Sequence, residues 1–178
     1  MSRRLKITLT VAFLTIALDL GTKAWALSAL ADEPADFGWV MLRLAQNTGV
    51  AFSLGASSPA WVVGAVTIGA TVLIGVMALR GVLHPPAAGG LLLGGGLGNL
   101  IDRLIDGSVT DMIDLGWFPS FNVADIALNI GVGLVLIVGL FATHPDDDAD
   151  ADTDADSDAD SDADELDTIQ DTAADAGT

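Results

Sequence analysis

Long apolar runs separated by short polar stretches dominate the chain from residue 7 to residue 143. A helix rises about 1.5 Å per residue, so about 20 apolar residues cross a hydrocarbon core that is about 30 Å thick. Four runs reach this length, and we therefore predict an all-α membrane protein with four transmembrane helices. The predicted spans are Ile7–Leu30, Pro59–Leu79, Pro86–Ile105 and Phe121–Thr143.

Basic residues at the ends of these runs indicate the orientation of the chain. Arg3, Arg4 and Lys6 precede the first span, and Arg80 lies between the second and the third. Cytoplasmic loops are enriched in Lys and Arg, so both segments are expected on the cytoplasmic side. We predict a multi-pass protein of the cytoplasmic (inner) membrane with both termini in the cytoplasm. Residues 31–58 and 106–120 then lie on the outer side.

The first span also imitates a cleavable signal peptide, since basic residues and an apolar run precede Ala29-Leu30-Ala31. Its apolar run is too long for such a segment and contains Asp19 and Lys23, which favours a retained helix. Four residues apart, these two side chains share a face and can form an ion pair, which lowers the cost of burying both. The pair is expected either to be purely structural or to position an active-site loop.

Two segments carry signals besides apolarity. Residues 37–45 contain β-favouring side chains, and the turn signal Asn47-Thr48-Gly49 follows them. A small sheet on the membrane surface is therefore predicted. The third span contains six glycines between residues 89 and 98, which allow neighbouring helices to approach closely in lipid.

Composition divides the chain into two parts. The chain is 51% hydrophobic, yet its net charge is −17. Residues 145–178 contain fifteen acidic residues and no Lys or Arg, whereas residues 1–144 contain nine acidic and seven basic residues. We predict a four-span membrane domain, 1–144, and a disordered, Asp/Ala-rich cytoplasmic tail, 145–178. The tail lacks the glycine of an EF-hand loop, which favours a solvated segment over calcium binding.

The candidate chemistry lies in two carboxylates, Asp111 and Asp125, that flank the start of the fourth span. Two facing carboxylates can share one proton, so that one acts as a base and the other as an acid when water attacks an amide. This chemistry needs neither a metal nor a cofactor. A metal site usually recruits histidine, but His84 and His144 fall on the predicted cytoplasmic side. The absence of cysteine excludes disulfides and a cysteine nucleophile.

A small proton-coupled transporter or channel is the alternative function, because intramembrane acidic and basic residues also mark ion paths. Such a path requires acids spaced through the depth of the bilayer. Asp102, Asp111 and Asp125 instead gather toward one face, which favours surface chemistry. A scaffold assembled through the glycine-rich span would leave these acids without a role.

Five short sequence blocks follow one another along the chain: Asp19–Lys23 (DLGTK), Asn47–Ser53 (NTGVAFS), Gly98–Arg103 (GNLIDR), Val109–Asp111 (VTD) and Phe121–Asp125 (FNVAD). In these blocks and their order, the chain resembles the lipoprotein signal peptidases, also called signal peptidase II, over about residues 7–142. The resemblance implies four transmembrane helices, a small extracytoplasmic β-sheet cradle and an aspartyl endopeptidase. The expected substrate is a diacylglyceryl-modified prolipoprotein, cleaved just before its lipidated cysteine.

The resemblance also implies partners and roles for individual residues. Membrane lipids are expected partners, whereas nucleic acids and metals are not, and a monomer is expected. The implied catalytic dyad is Asp111 and Asp125. Asp102 is the alternative to Asp111, but it is expected deeper in the membrane, where it can pair with Arg103. Supporting or substrate-binding roles are implied for Asn47, Asn99, Asp102, Arg103, Asn122, Asp19 and Lys23.

Two further expectations concern the same blocks. Asn122 is expected to cap the fourth helix and orient Asp125, and Asn99 to support the site from the third helix. For each supporting residue, ordinary hydrogen bonding between helices is an alternative to a role in the site. Thr110 and Met112 stand where the family more often has Val and Phe, a change that leaves the Asp111 carboxylate in place.

Overall fold

The computed structural model describes residues 1–49 and 60–141. The predicted tail, 145–178, and residues 50–53 of the second sequence block lie outside the described residues. The described chain forms four helices and three strands. The helices are α1 (Arg3–Ala29), α2 (Ala60–Leu79), α3 (Pro86–Asp106) and α4 (Val123–Phe141), and the strands are β1 (Ala35–Asp36), β2 (Met41–Asn47) and β3 (Val109–Asp114).

Three of the described helices are long and apolar enough to cross a membrane: Arg3–Ala29, Trp61–Leu79 and Val123–Phe141. Large apolar side chains on their outer surfaces remain exposed, as at Phe13 on α1 and Leu136 on α4. Exposed apolar surface of this extent is typical of a lipid-facing bundle. The chain is therefore a membrane protein. The third helix, α3, falls outside this set because glycines and polar residues lower its apolarity.

The glycine-rich helix α3 contacts each of the other three helices. A Cβ atom at Gly90 would lie 2.7 Å from the Thr8 carbonyl oxygen on α1, and one at Gly95 would lie 2.6 Å from the Ala124 carbonyl oxygen on α4. Real Cβ atoms do not approach so closely. The glycines therefore permit the close helix contacts that the sequence predicts.

The strands form one antiparallel sheet in the order β1-β2-β3. The sequence places a strand at residues 37–45, but β2 spans Met41–Asn47 and the preceding residues form a turn. Two local features explain the shift. Gly38 has a φ of 85°, which glycine adopts without strain, and its N–H donates to Asp36 Oδ1 at 2.7 Å. This turn closes the hairpin between β1 and β2.

Candidate active site

Asp111 occupies the middle of β3 and is only 2% exposed. The β2–β3 register pairs Ala45 with Asp111. Two residues further along β2, Asn47 reaches the same carboxylate, and its Nδ2 donates to Asp111 Oδ2 at 3.2 Å. The sheet thus provides one hydrogen-bond donor to the buried acid.

Asp125 belongs to a reciprocal cap at the start of α4. Asn122 Oδ1 accepts from the Asp125 N–H at 3.0 Å, and Asp125 Oδ2 accepts from the Asn122 N–H at 3.2 Å. This is a capping box, in which the first residue and the third helical residue satisfy each other's backbone donors. The cap fixes the carboxylate of Asp125 in the first helical turn, as the sequence predicts for Asn122.

Two side-chain amides connect the candidate acids. Asn122, which is fully buried, donates from Nδ2 to Asp111 Oδ1 at 2.7 Å and to Asn99 Oδ1 at 3.1 Å. Asn99 in turn donates from Nδ2 to Asp125 Oδ1 at 2.8 Å. We call this series of hydrogen bonds, from Asp111 through Asn122 and Asn99 to Asp125, the amide bridge. It fixes the positions of the two carboxylates relative to each other.

A buried ionic cluster lies behind the amide bridge. Lys23 Nζ is 2.7 Å from Asp19 Oδ2 and 3.1 Å from Asp102 Oδ2, and it donates to Asn99 Oδ1 at 3.1 Å. The three charged residues are all buried, at most 8% exposed. Because the Asn99 oxygen accepts from Lys23, its amide nitrogen is directed to the opposite side. The cluster therefore determines which end of the Asn99 amide meets Asp125.

The same cluster binds the backbone beside each candidate acid. Asp19 Oδ1 accepts from the Ala124 N–H at 2.8 Å, and Asp102 Oδ2 accepts from the Thr110 N–H at 3.0 Å. Ala124 and Thr110 are the residues that immediately precede the two candidate acids in the chain. Lys23 binds both accepting carboxylates, so one ammonium group connects the anchoring points of α4 and β3.

The predicted ion pair between Asp102 and Arg103 is wrong. Asp102 pairs with Lys23, while Arg103 Nη2 donates to the Gly49 carbonyl oxygen at 2.7 Å. Consecutive residues on a helix point about 100° apart, so the two side chains leave α3 in different directions. Arg103 Nε is buried and makes no hydrogen bond to any described residue. The guanidinium charge still interacts at longer range with Asp125, Asp111 and Asp102.

Burial raises the pKa of Asp111 to about 6, and the nearby charge of Asp125 contributes in the same direction. Hydrogen bonds from Asn47 and Asn122 oppose this rise, as does the charge of Lys23. A carboxyl group with such a pKa exchanges its proton near neutral pH, which suits general acid–base chemistry. Among the described residues, no group of three or more His, Cys, Asp or Glu side chains is arranged to hold a metal ion.

The structure brings all the sequence-predicted site residues into one connected region. Eight are linked through the amide bridge and the ionic cluster, and Arg103 lies beside them with its hydrogen bond to Gly49. The strand β3 was not predicted from the sequence, although Val109, Thr110 and Ile113 are β-branched and favour a strand. The backbone anchors at Thr110 and Ala124 were missed because they depend on contacts between distant segments.

Comparison with known proteins identifies the family. The model of the family described as Signal peptidase (SPase) II matches residues 11–141. The lipoprotein signal peptidase of Rhodococcus jostii (strain RHA1) is 39% identical over 150 residues, which cover 76% of this chain and 73% of that protein. The lipoprotein signal peptidase of Yersinia pseudotuberculosis serotype O:1b is 36% identical over 146 residues, covering 75% of this chain and 86% of that protein.

Two solved structures of membrane enzymes share the fold. Two bacterial membrane enzymes, determined by the in meso method at 2.3 and 1.9 Å resolution, each match with a TM-score of 0.65. The first is 27% identical and the match covers 75% of this chain and 87% of that chain; the second is 25% identical, with 76% and 94% covered. The family model spans most of this chain, and the relatives exceed 30% identity. The chain therefore belongs to the signal peptidase II family of membrane proteases.

Proposed function

We propose that this protein is an aspartyl endopeptidase that removes signal peptides from diacylglyceryl-modified prolipoproteins, cleaving just before the lipidated cysteine. Family membership supports the substrate class. The observation that carries the aspartyl mechanism is the amide bridge, which holds Asp111 and Asp125 together beside apolar helices. Asp102, the alternative dyad member, is instead engaged by Lys23 and by the Thr110 N–H.

In the proposed reaction the dyad carries one proton at the start. Asp111, with its pKa raised to about 6, holds that proton and hydrogen-bonds the oxygen of the scissile carbonyl. Asp125 takes a proton from water as the water oxygen attacks the carbonyl carbon. When the C–N bond breaks, Asp111 gives its proton to the leaving nitrogen. A proton then returns from Asp125 to Asp111, and the site is ready for another cycle.

Arg103 and Asn47 are the groups best placed to bind the substrate backbone. Arg103 Nε is a buried donor without a partner among the described residues, and an unused buried donor is costly unless a ligand satisfies it. Asn47 lies at the end of β2, next to the Asp111 carboxylate. We propose that a carbonyl oxygen of the bound peptide accepts a hydrogen bond from Arg103, and that Asn47 orients both Asp111 and the incoming chain.

The proposed topology has four spans, with α3 as the third, in the cytoplasmic membrane. Basic residues cluster at the start of α1 and after α2, which favours a cytoplasmic location for that end. The candidate acids lie at the other end, so the site is proposed to face the extracytoplasmic side with the sheet beside it. The chain has no cysteine, so single-cysteine variants test this directly. In intact cells a membrane-impermeant maleimide should label Ser28→Cys and leave Ser2→Cys unlabelled.

The central experiment measures cleavage of a diacylglyceryl-modified prolipoprotein by the purified full chain in detergent, with a chelator present. Asp111→Asn and Asp125→Asn should each lose at least about a hundredfold in rate, because each removes a proton donor or acceptor. Asp114→Asn is the matched control. Asp114 lies on the same strand but is bound by Arg43 at the sheet surface, so its loss should leave cleavage nearly unchanged.

Each alternative gives a distinct result. If Asp111→Asn cleaves while a folded Asp102→Asn variant does not, the dyad assignment is wrong but the class of enzyme stands. If the chelator abolishes cleavage by the unmodified chain, a metal-dependent mechanism replaces the aspartyl one. If the unmodified chain never cleaves and instead conducts protons in liposomes, the proposed activity is wrong and a transporter is supported.

A further inference from the structure

A concave site lies at the end of the molecule opposite the candidate acids. It is a cavity of about 180 Å³ between the first turns of α1 and the segment that joins α2 to α3. A single water needs only about 10–15 Å³ of such space, so the cavity has room for a group of several heavy atoms. Its polar lining includes Ser2, Arg4, Arg80 and His84, and its apolar lining includes Leu5 and Leu83.

Two cationic side chains line this cavity without acidic partners. Arg4 and Arg80 are exposed, and neither lies within salt-bridge distance of a carboxylate in the described part of the chain. The first turn of α1 also contributes the partial positive charge of the helix dipole. The cavity therefore concentrates positive charge that the described residues leave unneutralised.

His84 gives one of these cations a defined orientation. Arg4 Nη1 lies 2.9 Å from His84 Nε2, and a guanidinium can only donate, so Nε2 is the acceptor. The other ring nitrogen, Nδ1, then carries the hydrogen and donates to the Val82 carbonyl oxygen at 3.3 Å. The arrangement fixes one edge of the Arg4 guanidinium and leaves its remaining N–H groups without a partner among the described residues. A guanidinium held in this way is suited to bind phosphate oxygens.

We propose that this cavity binds the phosphate headgroup of an anionic phospholipid. Arg4 is the second residue of one candidate span and Arg80 directly follows another, so both lie where a headgroup lies in a bilayer. Leu79 and Val82 are exposed apolar side chains next to the cavity, where acyl chains would run. Basic pockets between the ends of transmembrane helices bind anionic headgroups by this combination of charge and apolar flank. The site is separate from the proposed catalytic residues.

The test compares two double variants that remove the same charge from the same end of the protein. Arg4→Gln/Arg80→Gln empties the cavity of its cations, whereas Arg3→Gln/Lys6→Gln removes two nearby cations that do not line it. The full chain is purified in neutral detergent and titrated with phosphatidylglycerol, phosphatidylcholine or inorganic phosphate. Binding is followed by native mass spectrometry and by the thermal midpoint. Cleavage activity in excess phosphatidylcholine shows that each variant is folded.

We expect the unmodified chain to bind phosphatidylglycerol saturably and to bind phosphatidylcholine weakly. Arg4→Gln/Arg80→Gln should weaken phosphatidylglycerol binding about 10- to 30-fold, since each basic residue contributes a few-fold or more. Arg3→Gln/Lys6→Gln should stay within about threefold of the unmodified chain. Equal losses in both double variants would overturn the proposal in favour of a diffuse charge effect. An equal response to inorganic phosphate would show an anion site without a lipid ligand and would also overturn it.

Discussion

Removal of the Asn47 amide should move the pH dependence of cleavage in a predictable direction. Asn47 donates to Asp111 Oδ2 at 3.2 Å and stabilises the ionised carboxylate. In Asn47→Ala the pKa of Asp111 should therefore rise above its value of about 6. A hydrogen bond to a charged group contributes about 1.5–3 kcal/mol, and one pKa unit corresponds to about 1.36 kcal/mol. Asn47 is half-buried, so water replaces part of this bond and we expect a rise of about 0.5–1 unit.

The direction in which the pH profile of cleavage moves follows from the proposed role of Asp111 as the proton donor. Above its pKa, Asp111 loses the proton that the leaving nitrogen needs, so kcat/KM should fall as pH rises through about 6 in the unmodified protein. In Asn47→Ala this fall should occur at higher pH. The position of the fall on the pH axis is informative even if the variant is slower at every pH, because the maximal rate and the midpoint are independent quantities.

The assay measures kcat/KM for a lipidated prolipoprotein from about pH 5 to about pH 9 in one detergent and at constant ionic strength. Gln46→Ala is the matched control, because Gln46 precedes Asn47 on β2 and hydrogen-bonds Thr110 and Ser108 instead of Asp111. Its midpoint should match that of the unmodified chain. A midpoint that stays fixed or moves to lower pH in Asn47→Ala would refute the reasoning.

Three further predictions concern the supports of the site and the tail. In Gly98→Ala the new Cβ would lie 2.6 Å from Asp19 Oδ2, so we expect the free energy of unfolding to fall by about 1–3 kcal/mol and cleavage to slow. In the control Gly133→Ala the new Cβ has nothing within 4 Å, so this variant should be at least as stable as the unmodified chain. Equal melting temperatures of the two variants would contradict this prediction. Lys23→Met leaves buried carboxylates without a cation and should lower the free energy of unfolding by about 3–5 kcal/mol. In thermal unfolding, Asp19→Asn/Lys23→Met should recover part of that stability, since it removes one of the unpaired buried charges. Truncation after His144 should leave prolipoprotein cleavage within about twofold of the full chain, and a large loss would assign the tail a role in activity.

The helices could be predicted from the sequence because an apolar run of sufficient length can adopt few structures other than a helix. The predicted second and third spans agree with α2 and α3 to within one residue at either end. The first helix begins four residues before the predicted span, at Arg3, because Ser2 caps it by accepting from the Leu5 N–H at 3.2 Å. Such a cap extends a helix into polar sequence, where hydropathy gives no signal.

The site could be predicted only where its contacts are local. The pair Asp19–Lys23 and the cap at Asn122 follow from spacings of four and three residues, and both are present. Asp102 has a neighbour of opposite charge in Arg103, yet it binds Lys23 from another helix. Sequence spacing describes which residues can meet on one element. It does not describe which elements pack together, and that decides the partner of Asp102.

The composition of α3 has a consequence for how the protein enters its membrane. This helix falls outside the set of helices apolar enough to cross a bilayer, and its buried Asn99 and Asp102 bind Lys23 of α1. In the proposed four-span arrangement, α3 would be retained in lipid by its neighbours more than by its own apolarity. α1 is synthesised before α3 and supplies the ammonium group, whereas α4 follows and packs against both α1 and α3. Membrane insertion of α3 and formation of the site are then coupled, because Asn99 and Asp102, which help to lower the apolarity of α3, also belong to the proposed site.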